Sequence, residues 1–384
     1  MPENWKKYNL SEVSQIIGGG TPSTKVEEYW NGEIPWLAPR DLTNYKYRFI
    51  GVGERSISKE GLINSSARLL PQNTVLLTSR APIGYLAIAK NEICTNQGFK
   101  SFILDPEKVD CIFFYYLLKN NVEFLQSLGT GTTFSEVSAS ALKTVEFEFP
   151  PLDPQISIAS ILSSLDDKIE LNLQMNQTLE AMVLESFENL NKEDNKVRLN
   201  ALIELNPRIS LKKGEVVKYL GMADVSEVGM SISSFINREF SSGSKFRKHD
   251  TLLARITPCL ENGKTAFVNF LEEDEIAFGS TEFIVMKAKP GVSPYLVYAL
   301  TRNRNFREFA IKSMTGTSGR QRVQTDRLND FEIAKISEDE MKLFHNTVES
   351  MFEKIKQNSD QNKHLSALRD SLLPRLMSGK INID

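Results

Sequence analysis

Gly18-Gly19-Gly20-Thr21-Pro22-Ser23 is the segment of this chain that comes nearest to a phosphate cradle. A phosphate loop needs a Lys-Ser/Thr pair after its second glycine, and here Pro22 also removes an amide from the cradle. The glycines are not spaced as in a dinucleotide fold either, so the segment reads as a turn before a strand. The serines and the three histidines follow no nucleophile-elbow or triad order. Asn206-Pro207-Arg208-Ile209 lacks the second proline and the stacking aromatic that methyl transfer to an amino group requires. Glu272-Glu273-Asp274-Glu275 reads as a solvated loop between strands, not a metal cluster. With Cys94, Cys111 and Cys259 scattered and no paired Cys/His spacing, neither a zinc site nor a disulfide framework is expected. No catalytic centre, cofactor or metal is predicted.

The elements that could position anything else repeat. Ile158, Leu162, Leu165, Ile169, Asn172, Asn176, Leu179 and Val183 are spaced alternately by four and three, a helical seam of period 3.5. Phe344, Val348, Met351, Ile355, Asn358, Asn362, Leu365 and Arg369 repeat it 186 positions on, all but the last keeping their character. Asn172, Asn176, Asn358 and Asn362 are expected inside an antiparallel helix pair, where a buried asparagine fixes register at a cost in stability. The globular parts repeat more weakly. Ile34–Leu42 corresponds to Val217–Val225, Val75–Arg80 to Thr251–Arg255, Asn96–Leu104 to Gly279–Met286, and Gly131 to Gly316. Each part reads as short strands with turn punctuation plus one helix, near 111–128 or 294–314. The expectation is an α+β chain of two domains in tandem, 1–152 and 191–336, each followed by a long helix, 153–190 and 337–384.

Composition agrees with a globular chain: 41% of the 384 residues are hydrophobic and 25% charged. The longest apolar run, Cys111 to Leu118, is far shorter than a membrane span, and the first ten residues carry no signal-peptide pattern, so a cytoplasmic protein is expected. The net charge of −3 hides a segregation. Residues 151–190 hold one lysine against seven carboxylates, whereas residues 191–336 hold 23 basic against 18 acidic side chains. Local patches rather than totals set the field at a binding groove, so nucleic acid is not excluded.

Three further segments carry a resemblance. Ile17-Gly18-Gly19-Gly20-Thr21-Pro22-Ser23 leads into Tyr29-Trp30-Asn31-Gly32-Glu33-Ile34-Pro35-Trp36-Leu37. Phe149-Pro150-Pro151-Leu152-Asp153-Pro154-Gln155 leads into Ile161-Leu162-Ser163-Ser164-Leu165-Asp166, and Leu372-Leu373-Pro374-Arg375-Leu376-Met377-Ser378-Gly379-Lys380-Ile381 lies near the end. In this order, along the whole chain, they resemble the specificity subunit of type I restriction–modification systems. The second helix entry, Ala334 to Glu340, lacks the Pro-Pro of the first.

The resemblance implies a non-catalytic subunit that reads a bipartite site on double-stranded DNA, one half per domain. Its helices would set the gap and dock two methyltransferase subunits, with motor–nuclease subunits joining the complex and no membrane involved. It also points to DNA contacts. Thr317, Ser318, Arg320, Gln321 and Arg322 lie in a glycine-containing loop with donors suited to base edges and phosphates. Thr132 and Thr133 are their counterparts; Arg40, Arg80 and Arg255 are contacts or, alternatively, structural ion pairs. Trp30, Trp36, Tyr45 and Tyr47 are expected in the core. Asp166, Asp167, Glu170, Glu180, Glu185 and Glu188 form either a face that docks a basic partner or a solvated flank. The competing readings are a tandem-module scaffold that binds no nucleic acid and a single-chain DNA methyltransferase.

Overall fold

The computed structural model describes residues 4–131, 135–190, 195–232, 234–317 and 319–381. The chain forms two compact units. Unit 1 is made of residues 1–170 and 363–384, unit 2 of residues 171–362. The cut falls inside both long helices, Leu152–Glu188 and Glu338–Met377, so each unit holds the start of one and the end of the other. At about 1.5 Å per residue the helices are roughly 55–60 Å long.

In unit 1 a five-stranded sheet runs in the order Ser14–Gly18, Phe99–Leu104, Val75–Ser79, Ile83–Ala89, Phe49–Ile50. A smaller sheet places Trp30–Leu37 between Arg55–Ile57 and Cys94–Thr95. In unit 2, Ile203–Leu205, Phe283–Ala288, Thr251–Ala254 and Thr265–Phe267 form one four-stranded sheet. Ile236–Glu239, Val216–Leu220, Ile276–Gly279 and Ser244–Arg247 form another. The central strands Val75–Ser79 and Thr251–Ala254 are buried along their whole length, as continuous apolar runs require when both sheet faces are covered.

The helix expected near 111–128 is two helices, Cys111–Asn120 and Val122–Ser127, and that near 294–314 is Pro294–Arg302 and Arg304–Lys312. Asparagine makes both breaks. Asn121 Nδ2 donates to the Leu117 carbonyl at 2.7 Å, and Asn303 Oδ1 accepts from the Phe306 amide at 3.1 Å. A short amide side chain competes with the helix ladder in this way.

Within each unit the long helices run antiparallel. In unit 2 Asn172 Nδ2 donates to Gln361 and Asn362 at 2.8 Å, and Asn358 Nδ2 to Asn176 at 2.9 Å. Asn172, Asn176 and Asn358 are buried and Asn362 is half-buried. In unit 1 Ile158, Ala159 and Leu162 share a core with Leu373, Leu376 and Met377.

The expected seam needs one correction. Leu165 and Leu179 are only half-buried, while their neighbours Asp166 and Glu180 are buried. These two carboxylates therefore leave the acidic face proposed for the first helix. Each accepts a hydrogen bond from the tyrosine of its unit's leading helix: Tyr116 Oη to Asp166 at 2.7 Å, and Tyr298 Oη to Glu180 at 2.5 Å. Arg369 and Lys119 complete the first site at 2.5 and 3.8 Å, and Arg302 flanks the second at 3.5 Å. Burial raises a carboxyl's affinity for its proton, but Lys119, Tyr116 and Arg369 outweigh this at Asp166 and hold it below the usual range. Burial and the adjoining carboxylates push both tyrosines up. Of the remaining acids, Asp167 and Glu170 pair with the buried Arg48, Glu188 accepts from Asn303 at 2.6 Å, and Glu185 is exposed.

Candidate nucleic-acid interface

The same strand-end rim occurs in both units. In unit 1 the strand Trp30–Leu37 ends in a short turn, Pro39–Leu42. Asp41 pins that turn by accepting from the amides of Ala38 at 2.7 Å and Glu54 at 2.8 Å. Arg40 is thereby held outward; its side chain is 83% exposed, with Glu54 at 3.7 Å. Beside it the Asn96 amide donates to the Leu37 carbonyl, and the Asn96 side chain accepts from the Gly98 amide at 2.8 Å. A Cβ on Gly98 would stand 2.7 Å from Pro39 Cγ, so glycine lets the two turns touch. Thr21 Oγ1 reaches Gln97 at 2.5 Å.

The glycine-rich run is explained by packing. A Cβ on Gly19 would sit 2.0 Å from the Asn96 carbonyl oxygen, and Trp36 Nε1 donates to the Gly20 carbonyl at 2.9 Å. Trp30 and Trp36 are core residues, as expected, and Tyr45 and Tyr47 pack ring to ring at 5.6 Å. Asn206, of the Asn-Pro-Arg-Ile run, accepts from the Val285 amide at 2.9 Å and so serves the sheet edge.

Unit 2 repeats the backbone pattern. Asn96 donates to Leu37, and Ser280 donates to Leu220 at 3.2 Å. Ser79 donates to Gly98 and accepts from Val137; Arg255 donates to Glu282 and accepts from Val323. This corrects the strand alignment: Ser79, not Arg80, is the counterpart of Arg255, and Arg80 corresponds to Ile256. The sequence match failed because Val75–Arg80 and Thr251–Arg255 differ in length by one residue.

On this shared backbone the charges differ. In unit 1 Glu136 stands between Lys100 at 3.0 Å and Arg80 at 3.6 Å. Its counterpart in unit 2 is Arg322, which forks onto Glu282 with bonds of 2.7 and 3.0 Å. Neither Arg80 nor Arg322 is a lone cation, and Arg255 is half-buried, its Nε without a hydrogen-bond partner. Arg320 is exposed between Gly319 (φ +79°) and Gln321, and its amide donates to Thr317 at 3.0 Å. Thr317 is exposed; Gln321 is half-buried, its carbonyl accepting from the Thr257 amide and hydroxyl. Thr132, Thr133 and Ser318 lie outside the described residues. Arg40 has Ala223 as its counterpart, so each rim carries its own exposed arginine, Arg40 in one and Arg320 in the other. Lys100, Glu136 and Glu282 escaped the sequence reading, although the 186-residue offset that links Asn172 to Asn358 also links Glu136 to Arg322. Chemically, each rim offers forked donors, amides and carboxylate acceptors on fixed turns, which suits base edges and phosphates.

Residues 2–181 match the family described as type I restriction modification DNA specificity domain. The MjaIX specificity subunit of a type I restriction enzyme from Methanocaldococcus jannaschii is 32% identical, the match covering all of this chain and 95% of the relative. The MjaVIII specificity subunit from the same organism is 20% identical, over all of this chain and 94% of the relative. The crystal structure of a type I restriction–modification S subunit from M. genitalium has the same fold, with a TM-score of 0.58 at 17% identity, covering 97% of this chain and 96% of that one.

Proposed function

This chain belongs to the specificity subunits of type I restriction enzymes, a non-catalytic family, and on that premise we propose that it reads a bipartite DNA site, one half with each unit. The observation that carries the proposal is the strand-end rim built twice on the same backbone hydrogen bonds with different side chains. Two copies of one scaffold with different charges fit two different half-sites. The rims offer arginine forks for guanine and carboxylates that accept from the amino group of cytosine. Arg40, Arg80, Arg255, Thr317, Arg320, Gln321 and Arg322 are the proposed contacts, with Thr132, Thr133 and Ser318. The asparagine layers hold the register of the long helices, and the helices set the unread gap and dock two methyltransferase subunits. Motor–nuclease subunits join that complex, in the cytoplasm.

The test is to co-express the chain with its cognate methyltransferase subunit and sequence the methylated DNA. A split motif with an unread gap is expected. Methylation by this chain alone would make it an enzyme. No complex and no motif would favour a scaffold that binds no nucleic acid. Exchanging residues 191–336 for those of a relative should change one half of the motif; a change in both halves would end the modular reading.

A further inference from the structure

The small sheet behind each rim has two faces, and the units treat the outer one differently. In unit 2 Leu220, Phe246 and Ala277 point inward and are fully buried. Residues paired in register share a face. Tyr219 pairs with Ile236 and Phe278, Phe278 with Lys245, and Val217 with Arg238, so these six lie on the opposite face, as does the pair Arg247 and Ile276.

The matching face of unit 1 is covered. There Trp36 pairs with Arg55 and Cys94, and Ile34 with Ile57. Trp36, Ile57 and Cys94 are buried together with Trp30 and Ala67, and the half-buried Leu62 of the helix Lys59–Ile63 packs against them. In unit 2 the corresponding stretch of chain instead supplies Ser244–Arg247, which joins the sheet as an edge strand. Among the described residues of unit 2 no helix takes the covering place. Ile236 is accordingly 57% exposed and Val217 and Tyr219 are half-buried, while Phe278 is buried beneath the Tyr219 and Phe240 rings.

Within the strands, the charged side chains of this face have one sign. The Arg238 guanidinium lies 4.9 Å from the centre of the Tyr219 ring, and the Lys245 ammonium 5.6 Å from that of Phe240. Both rings pack on Phe278, at 5.0 and 5.1 Å. Of the nearby carboxylates, Glu275 pairs with Lys218, whose alternation puts it on the other face, and Glu239 pairs in register with Val216, while Glu215 and Asp274 lie just beyond the strand ends, beside Val217 and Ile276. Two cations over aromatic rings, with no carboxylate among the in-register residues, complement a polyanion. Protein interfaces, in contrast, are depleted of lysine. The face also adjoins the rim, because Val216–Leu220 and Ile276–Gly279 run directly into the turns at Gly221–Asp224 and Ser280–Glu282.

We propose that this open sheet face of unit 2 carries DNA backbone flanking the half-site that the unit reads, Arg238 and Lys245 pairing with phosphates while Tyr219 and Ile236 pack on the sugars. The inference rests on the DNA-reading function above. Its test compares the wild-type chain, complexed with its methyltransferase subunit, with a variant carrying Arg238→Gln and Lys245→Gln. The probe is a duplex bearing the motif recovered by methylation sequencing. Each phosphate contact contributes about 0.9 to the slope of log K against log salt, so the double variant should be shallower by about 2. The methylated motif should stay the same, and hydroxyl-radical protection should shorten on the side of unit 2 only. A steep wild-type slope that the variant leaves unchanged would overturn the inference and spare DNA reading. Absence of salt-sensitive binding by the wild type would remove both. Loss of the methyltransferase subunit with an unchanged slope would assign the face to a protein and overturn the inference. Should the double variant melt early, the exposed Arg238→Gln alone must still lower the slope by about 1.

Discussion

Asp166 and Phe352 occupy the same place in the two repeats, 186 residues apart, and they solve the same packing problem in opposite ways. In unit 1 the helix meets the globular core through a buried carboxylate held by Tyr116, Lys119 and Arg369. In unit 2 Phe352 fills the place, its ring 4.5–5.7 Å from Phe267, Tyr295 and Tyr298. Tyr298 then turns its hydroxyl to Glu180 on the other long helix. Burying a phenyl ring is favourable without partners, whereas a buried carboxylate is tolerated only while every partner stays. The repeat thus preserves a tyrosine and a helix position but not the interaction that joins them.

The sharpest way to break this comparison is to empty each joint. Phe352→Ala should lower stability by about 3–5 kcal/mol by leaving a cavity in the aromatic cluster. Asp166→Ala should also destabilise, for another reason, since it leaves Lys119 without its closest carboxylate and Arg369 with only the exposed Asp370. Replacing Asp166 and Arg369 by leucine and Lys119 by methionine separates the two cases, because removing all three charges should recover much of the loss while Phe352→Ala has no such rescue. Urea titration with hydrogen exchange resolves the units. Loss of protection starting in the same segments for both variants would show that the joints are equivalent after all.

A second difference lies at the turn before the central strand, where Asn73-Thr74 of unit 1 matches His249-Asp250 of unit 2. Asn73 and His249 both have positive φ, near 65° and 70°, and their amides donate to Ala89 and Val268. Thr74 is neutral. Asp250 is 3% exposed, accepts from the Arg247 amide at 2.8 Å, and is raised to about 6 by burial. Its folded pKa lies above the unfolded value of 3.8, so the folded state binds the proton more tightly. Stability is therefore lost as pH rises from about 4 to about 6. His249 shifts the other way: burial and Lys248 lower it, so its contribution is present above the ordinary value of 6.5 and is lost as pH falls below that. Asp250→Asn keeps the acceptor for Arg247 and removes the charge. It should stabilise unit 2 by about 3 kcal/mol at pH 7, with the gain vanishing near pH 4. A gain independent of pH would mean that the charge is not its source.

How much of this was legible follows from what each pattern encodes. The 186-residue helical offset was readable because a 3.5-residue period with two asparagine layers is a strong signal. The strand correspondences at Ile34–Leu42 and Val217–Val225 were readable from apolar alternation, and the matching amide bonds of Asn96 and Ser280 bear them out. Asp166 and Glu180 were misplaced because period 3.5 alone chose the leucines Leu165 and Leu179. A carboxylate can replace an apolar seam residue only when distant partners such as Tyr116 and Tyr298 neutralise it, and those partners are invisible in a local window. Arg80 and Arg255 were misaligned because strand length, unlike strand character, leaves little trace in the residues. The uncovered face at Tyr219 and Ile236 could not be foreseen, since it arises from what the chain after Ile236–Glu239 fails to supply.

The smallest effects concern the rims themselves. Glu136 serves two cations, of which Lys100 has a side chain only 11% exposed, whereas Glu282 serves one arginine whose side chain is 43% exposed. Without Glu136 the buried Lys100 ammonium keeps the Ser79 hydroxyl, 3.4 Å away. Glu136→Ala should therefore destabilise unit 1 by about 1–2 kcal/mol, while Glu282→Ala should cost less than about 1 kcal/mol because Arg322 can turn to water. The consequences for DNA run the other way. Freeing Arg322 adds an unpaired guanidinium to the rim of unit 2, which should tighten binding to any duplex and steepen its salt dependence by about 1. Glu136→Ala leaves Lys100 recessed and Arg80 half-buried, so its effect on the salt slope should be smaller. Each variant should relax base preference in one half of the methylated motif only. If Glu282→Ala alters the half that Glu136→Ala alters, the two rims do not read separate half-sites, and the resemblance between them is only structural.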